Sequence, residues 1–282
     1  MTSVTPDIST PAHSTDAYFE PAAVTTDDLG ATWTDYVATA HTVSPWGPDL
    51  QHGAPPSALV THVLEKAAPQ GGRLVRVTTE LLGAVPVARL RTTARVVRPG
   101  RRISYLEAVV TDTSGREVVR GSAWWIRTTD TTAVENPQVP SAAEMLPRDR
   151  CADATEFLEA WASPYIDTIE MYGSGRQAWI RSTIPVVAGV PDSPWTSLMA
   201  VADATNGVDR VLDPREWQFM NTDLTVSLHR LPGQGWAGDG WTGVQAEANL
   251  GPDGVGLTIG RLHDARGPLG STSQSLLLQP AG

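Results

Sequence analysis

The strongest constraint in this 282-residue chain is an internal repeat. HGAPPSALVTHVLEKAA (52–68) opens with Gly53, Pro55 and Pro56, then puts Leu59, Val63 and Leu64 on one helical face. LVRVTTELL (74–82), VARLRTTARVV (87–97), ISYLEAVVTD (103–112) and EVVRGSAWWIR (117–127) follow as β-rich runs parted by turns. The second run alternates Leu90, Thr92, Ala94 and Val96 against Arg89, Arg91, Thr93 and Arg95, as a half-buried antiparallel strand does. The second half repeats this order. SPWTSLMAVADATNG (193–207) predicts one helix, with Pro194 in its first turn and Gly207 as its stop. FMNTDLTVSLHR (219–230) predicts a strand with Leu224, Val226 and Leu228 on one face; WTGVQAEANL (241–250), VGLTIGRLHD (255–264) and GSTSQSLLL (270–278) follow. The turn DARG (264–267) stands where DTSG (112–115) stands in the first half, and Thr79–Leu81 (T-E-L) is echoed by Thr222–Leu224 (T-D-L).

A period of about 140 residues is too long for a solenoid and points to two copies of one unit. A sheet with one helix leaves its far face open. Two copies laid edge to edge form one antiparallel sheet wrapped around two helices, an α+β architecture. The expected units are 16–127 and 151–282, joined by a Thr- and Pro-rich linker at 128–150 and preceded by a polar tail of about 15 residues.

Hydrophobic residues make up 41% of the chain, enough for a real core. No apolar run of ~18 residues predicts a membrane span. The opening MTSVTPDISTPAHSTDAYF lacks the basic and apolar regions of a secretory signal, so a cytoplasmic location is expected. The single cysteine, Cys151, excludes an internal disulfide; no base stands beside it, and no Cys/His cluster has ligand spacing. Neither metal nor cofactor is expected. The net charge of −10 argues against nucleic acid as a partner. Yet residues 73–127 carry eleven Arg and four acids, whereas residues 1–60 carry seven acids and no Lys or Arg. That band reads either as a solvated sheet face or as a landing surface for a phosphorylated ligand. No G-x-S-x-G elbow, P-loop or strand-borne G-x-G-x-x-G is present. GPDGVG (251–256) reads as a hairpin turn and Gly173–Gly175 as a loop; His229 and His263, near strand ends, read as structural. Trp124 and Trp125 are adjacent in a strand, so one faces inward. Trp179, Trp195 and Trp217 flank the second helix, as packing groups or as lining for an apolar tunnel.

PWGPDLQHGAPPSALV, VRPGRRISYLEAVV, SPWTSLMAVADATNGV, FMNTDLTVSLHR and HDARGPLGSTSQSLLL, in that order over residues 40–280, resemble the thioesterase-like double hot-dog proteins related to the bacterial acyl-CoA thioesterase II type. The resemblance implies a double hot-dog fold and hydrolysis of an acyl-CoA thioester. In that type a water is oriented by an Asp on the second-half helix, a Thr at the start of the next strand and a Gln on the last strand. By resemblance the Asp is Asp203 and the Gln is Gln274. Aligned through Asp223, His229 and Arg230, the Thr position falls on Asn221, an amide in place of a hydroxyl; Thr222 next to it faces the other way along a strand. In single hot-dog thioesterases a His-Gly-Gly at the helix start brings backbone N–H groups to the thioester oxygen. Here the sequence is His52–Gly53–Ala54, so His52, Gly53 and Thr222 are the expected substrate contacts, with Gly53 or Ala54 donating and Gly53 facing Asp203. Seven residues past the turn glycine, Gly267 leads to Gln274 but Gly115 leads to Ser122, which implies one site per chain, in the second half. The rival readings are a non-catalytic acyl-CoA or lipid binder and a hot-dog hydratase. An edge strand invites pairing, so a homo-oligomer is among the expected partners.

Overall fold

A helix that buries most of its residues must be covered on most sides, and both main helices here are of that kind. In the computed structural model, which describes residues 16–136, 145–154, 158–159, 161–209, 211–213, 215–233 and 240–281, they lie side by side under one curved sheet. The chain begins with β1 (Phe19–Thr26) and β2 (Thr32–Ala38), and a separate small hairpin, β3 (Val43–Ser44) and β4 (Gly47–Gln51), leads into α1 (Ala54–Ala67). Four strands follow: β5 (Gly72–Leu81), β6 (Arg89–Arg98), β7 (Ile103–Thr111) and β8 (Glu117–Arg127). The second half has β9 (Ala152–Asp153), β10 (Ile169–Ser174), β11 (Gln177–Ser182), α2 (Pro194–Ala202) and the short α3 (Thr205–Val208). It ends with β12 (Trp217–Asn221), β13 (Asp223–Leu228), β14 (Thr242–Leu250), β15 (Val255–Asp264) and β16 (Gly267–Pro280).

Fourteen of these strands form one antiparallel sheet in the order β1-β2-β6-β7-β8-β5-β13-β16-β15-β14-β11-β10-β9, with β12 beside β16. Outward from the β5–β13 seam the two sides have the same succession. The seam pairs Glu80 with Asp223 through Arg76 with Ser227, and the hydroxyls of Thr78 and Thr225 meet across it at 3.1 Å. α1 packs on β5 to β8 and against α2, and Ala58, Leu59, Leu64, Leu198, Met199 and Val201 are fully buried between the layers. Burial at this density supplies most of the favourable free energy of such a domain.

Several expectations need correction. The first half has two more strands before its helix, β1 and β2, and the second has β10 and β11, which Gly173–Gly175 join as a hairpin with Gly175 at φ +58°. The helix expected over 193–207 breaks at Asp203, and Gly207 lies inside α3 instead of ending it. The strand expected over 219–230 is two strands parted at Thr222. The inner face of β8 is Gly121, Ala123 and Trp125, so the seven-residue count to Ser122 lands on the wrong face; register shifts near Thr111 and His263 upset it. Trp125 faces inward and Trp124 packs on Tyr105 outside. The polar tail up to residue 15 and linker residues 137–144 lie outside the described residues. No helix among the described residues is long and apolar enough to cross a membrane.

Candidate active site

Two local irregularities build the site. α2 starts firmly: Pro194 takes its first turn, and Ser193 and Thr196 form a capping box in which each side chain accepts from the other's backbone N–H. It stops at Asp203, where the Ala204 N–H reaches back only to Val201 O and the Thr205 hydroxyl donates to Ala202 O at 2.7 Å. The Asp203 carboxyl therefore stands at the frayed end of a buried helix. The second irregularity is a bulge. Asn221 pairs with Leu276 and Thr225 with Ser273, so four residues on one strand oppose three on the other. Strict alternation back from Leu224 and Val226 would send Thr222 inward. The extra residue reverses the faces: Phe219 and Asn221 point in, and Thr222 is exposed.

Asn221 Nδ2 donates to Asp203 Oδ1 at 2.7 Å and to Asp223 O at 3.1 Å. Gln274 Nε2 donates to Asp203 Oδ1 and to Asp203 O, both at 3.1 Å. Gly53 lies against the other carboxyl oxygen; a Cβ there would stand 2.7 Å from Asp203 Oδ2. His52 Nδ1 is 3.3 Å from the same oxygen and accepts the Ala54 N–H at 3.2 Å, while its ring stacks on Tyr165 with centroids 4.0 Å apart. Burial pushes Asp203 up to about 6, against the lowering effect of Asn221 and Gln274. Burial pushes His52 down to about 3, so the contact with Asp203 is not an ion pair at neutral pH. Accepting at Nδ1 puts the proton of the neutral ring on Nε2.

A cavity of about 390 Å³ opens on this cluster. Its mouth is the exposed group Gly83, Ala84, Thr222 and Leu277; its far end is buried and apolar, with Tyr165, Ile169, Met171, Ile180 and Phe219. Trp46, Trp161 and Phe219 meet edge to face along one wall, at centroid distances of 5.1–6.1 Å.

The sequence-derived residues fall into two groups. Asp203, Asn221, His52 and Gly53 converge on the cavity. Gln274 is fully buried behind Asp203, outside the cavity wall, and Thr222 sits at the mouth with its hydroxyl near Asp223 Oδ1 at 3.4 Å. Of the two backbone donors expected at the helix start, Ala54 is spent on His52, which leaves Gly53. Trp179, Trp195 and Trp217 do not line the cavity; Trp46 and Trp161 do. In the arginine band Arg89 and Arg91 pair with Asp35, Arg95 with Glu107, Arg116 with Asp112 and Arg120 with Glu117, as on a solvated face. Sequence reading missed Tyr165, Trp46 and Trp161. They lie in irregular segments where no periodicity marks a side chain as inward.

Family models for the acyl-CoA thioesterase N-terminal and C-terminal domains match residues 42–126 and 135–278. Among solved structures, a candidate thioesterase II from Thermobifida fusca YX is 13% identical with a TM-score of 0.68 over 92% of this chain and 96% of that one. A conserved protein of unknown function with the hot dog fold from Alicyclobacillus acidocaldarius is 19% identical, with a TM-score of 0.65 over 95% and 98%. An acyl-CoA thioesterase II from Mycobacterium marinum is 14% identical, with a TM-score of 0.63 over 92% and 97%. At these identities the likeness establishes a hot-dog fold. No curated protein matches the sequence.

Proposed function

Since this chain belongs to the acyl-CoA thioesterase family, we propose that it hydrolyses an acyl-CoA to the free acid and CoA at the Asp203 cluster. The observation that carries the reading is a buried carboxylate, held by two amide donors, on the wall of an apolar cavity with an exposed mouth. An apolar acyl chain suits the far end, and the CoA arm leaves by the mouth. Asp203 accepts a proton from a water as that water attacks the thioester carbonyl carbon. The oxygen of the tetrahedral intermediate takes hydrogen bonds from His52 Nε2–H and the Gly53 N–H. When the carbon–sulfur bond breaks, the proton on Asp203 passes to the CoA thiolate. Water and thioester thus become acid and thiol, and the carboxylate is restored.

In this reading Asn221, at the position of the related type's Thr, donates to the carboxylate and fixes it. Gln274 is a positioning residue for Asp203, and Thr222 is a contact for the CoA arm. The chain is two hot-dog units, 16–127 and 151–282, fused at the β5–β13 seam, with residues 128–150 as the linker. A cytoplasmic location and pairing of copies through exposed sheet surface belong to the same proposal.

The test is release of CoA thiol from a panel of straight-chain acyl-CoAs by the purified protein. Hydrolysis of at least one chain length supports the reading. Saturable binding of acyl-CoAs without thiol release makes the protein a binder and ends the enzymatic assignment.

A further inference from the structure

Tyr165 is fully buried, and three of its contacts run to the two segments that carry the reacting groups. Its ring lies nearly parallel to His52, at 14° and 4.0 Å between centroids. Its backbone N–H donates to Val43 O at 3.1 Å, in the hairpin that leads to His52. Its hydroxyl donates to Ala200 O at 2.9 Å, one of the last four carbonyls of α2. Burial holds the phenol well above its ordinary range, so it remains a donor.

The imidazole is therefore fixed in two ways. Tyr165 covers one face, and the Ala54 N–H is taken by Nδ1 at 3.2 Å. A ring flip would turn a C–H toward the Ala54 N–H and leave that donor without its acceptor. The titratable groups facing the ring are Tyr165 and Asp203; Asp203 Oδ2, 3.3 Å from Nδ1, draws a proton to that nitrogen and so competes with the Ala54 N–H, 3.2 Å from it.

We propose that Tyr165 is a positioning residue: with the Ala54 N–H it holds His52 as the neutral Nε2–H tautomer on the cavity wall, ready to donate to the carbonyl oxygen of a bound thioester. The tautomer and its dependence on Tyr165 stand on the geometry of the free protein. Only the donation step rests on the hydrolase reading.

The test is the imidazole 15N spectrum of the full chain from pH 5 to pH 8, for wild type, Tyr165→Phe and Tyr165→Leu, beside kcat and KM on the acyl-CoA hydrolysed best. Wild-type His52 is expected to show a pyridine-like Nδ1 and a proton-bearing Nε2 throughout. Tyr165→Phe keeps the stack and so keeps that signature and most of kcat. Tyr165→Leu lets both tautomers exchange and moves protonation back toward about 6.5, with kcat lowered about tenfold or more and KM within about threefold. A wild-type His52 that carries its proton on Nδ1, or that titrates near its ordinary value, overturns the proposal. So does an unchanged signature in Tyr165→Leu. If that variant fails to fold, the wild-type and Tyr165→Phe spectra decide. If no acyl-CoA is hydrolysed, the spectra still decide the positioning role, and only the hydrolase reading falls.

Discussion

At the end of α2 the Asp203 carboxyl meets a glycine and an imidazole; at the end of α1 the Glu65 carboxyl meets a serine. The two acids hold matching places, each nine residues after a proline, Pro194 and Pro56, near the start of its helix. Each faces the beginning of the other helix. Ser193 Oγ donates to Glu65 Oε2 at 2.5 Å, and Asp192 lies next to it. Burial raises Glu65, against the Ser193 bond and with help from Asp192; burial also pushes Asp192 up to about 6. What differs is the surroundings. On the first side Gly121, Ala123 and Trp125 form the inner face of β8, Val60 fills the space over Gly121, and buried Trp195 donates to Leu74 O at 3.1 Å. On the second side Gln274 and Asn221 stand at the carboxyl, and a cavity opens beside it. The fold supplies a buried carboxyl at both junctions. The neighbouring strands decide which one has a cavity beside it and amide donors on its carboxyl.

Substitutions can break this contrast in order of effect. Asp203→Asn removes the proposed base and is expected to lower kcat/KM by about a thousandfold or more. It also changes stability in a predictable direction. A carboxyl raised from 3.8 to about 6 keeps its proton in the native state after the unfolded chain has lost it. Wild-type stability therefore falls as pH rises between those values, by about 3 kcal/mol in all. The Asn variant escapes this loss, so thermal melts should show it ahead of wild type at pH 8, with the gap closing below about pH 4. Wild-type kcat/KM should rise with pH through about 6, because the proposed base acts in its ionised form.

Gly53→Ala comes next. Gly53 has ordinary helical angles, φ −65° and ψ −23°, so the backbone accepts alanine without strain. The added methyl collides with Asp203. A kcat loss of about 10- to 100-fold in a protein that still melts cooperatively, with Tm lowered by the overpacking, would mark close approach at the carboxyl. Gln274→Leu removes a lowering hydrogen bond from Asp203, so the acid limb of the pH profile should move to higher pH, with kcat down about tenfold. Glu65→Gln, at the closed junction, should leave kcat/KM within about twofold. In melts it should gain stability over wild type as pH rises through the carboxyl range, because Glu65 is also raised.

The strands from β5 to β8 and from β14 to β16 were legible because each is a β-rich run set off by turn residues, with clean alternation in β6. β1 and β2 were not: most of β1 is exposed, and a strand without a buried face has no period to read. At the site, Asp203 and Gln274 came from family resemblance, since a buried Gln between serines looks like surface in a bare sequence. The choice between Asn221 and Thr222 was open in the sequence because one bulge reverses which of them points inward, and a bulge leaves no residue signature here. Tyr165 carried no signal at all; the partners that tie it to the site, Val43, His52 and Ala200, lie 35 residues or more away in the chain.

Whether a water held by Asp203 attacks the thioester is tested most directly by a single turnover in 18O-labelled water, with enzyme in excess over the best acyl-CoA. The account predicts one 18O in the carboxyl of the first acid released and none in the Asp203 carboxylate. An unlabelled first product, with the label appearing in Asp203, would mean that the carboxylate itself attacks the thioester and would contradict the account.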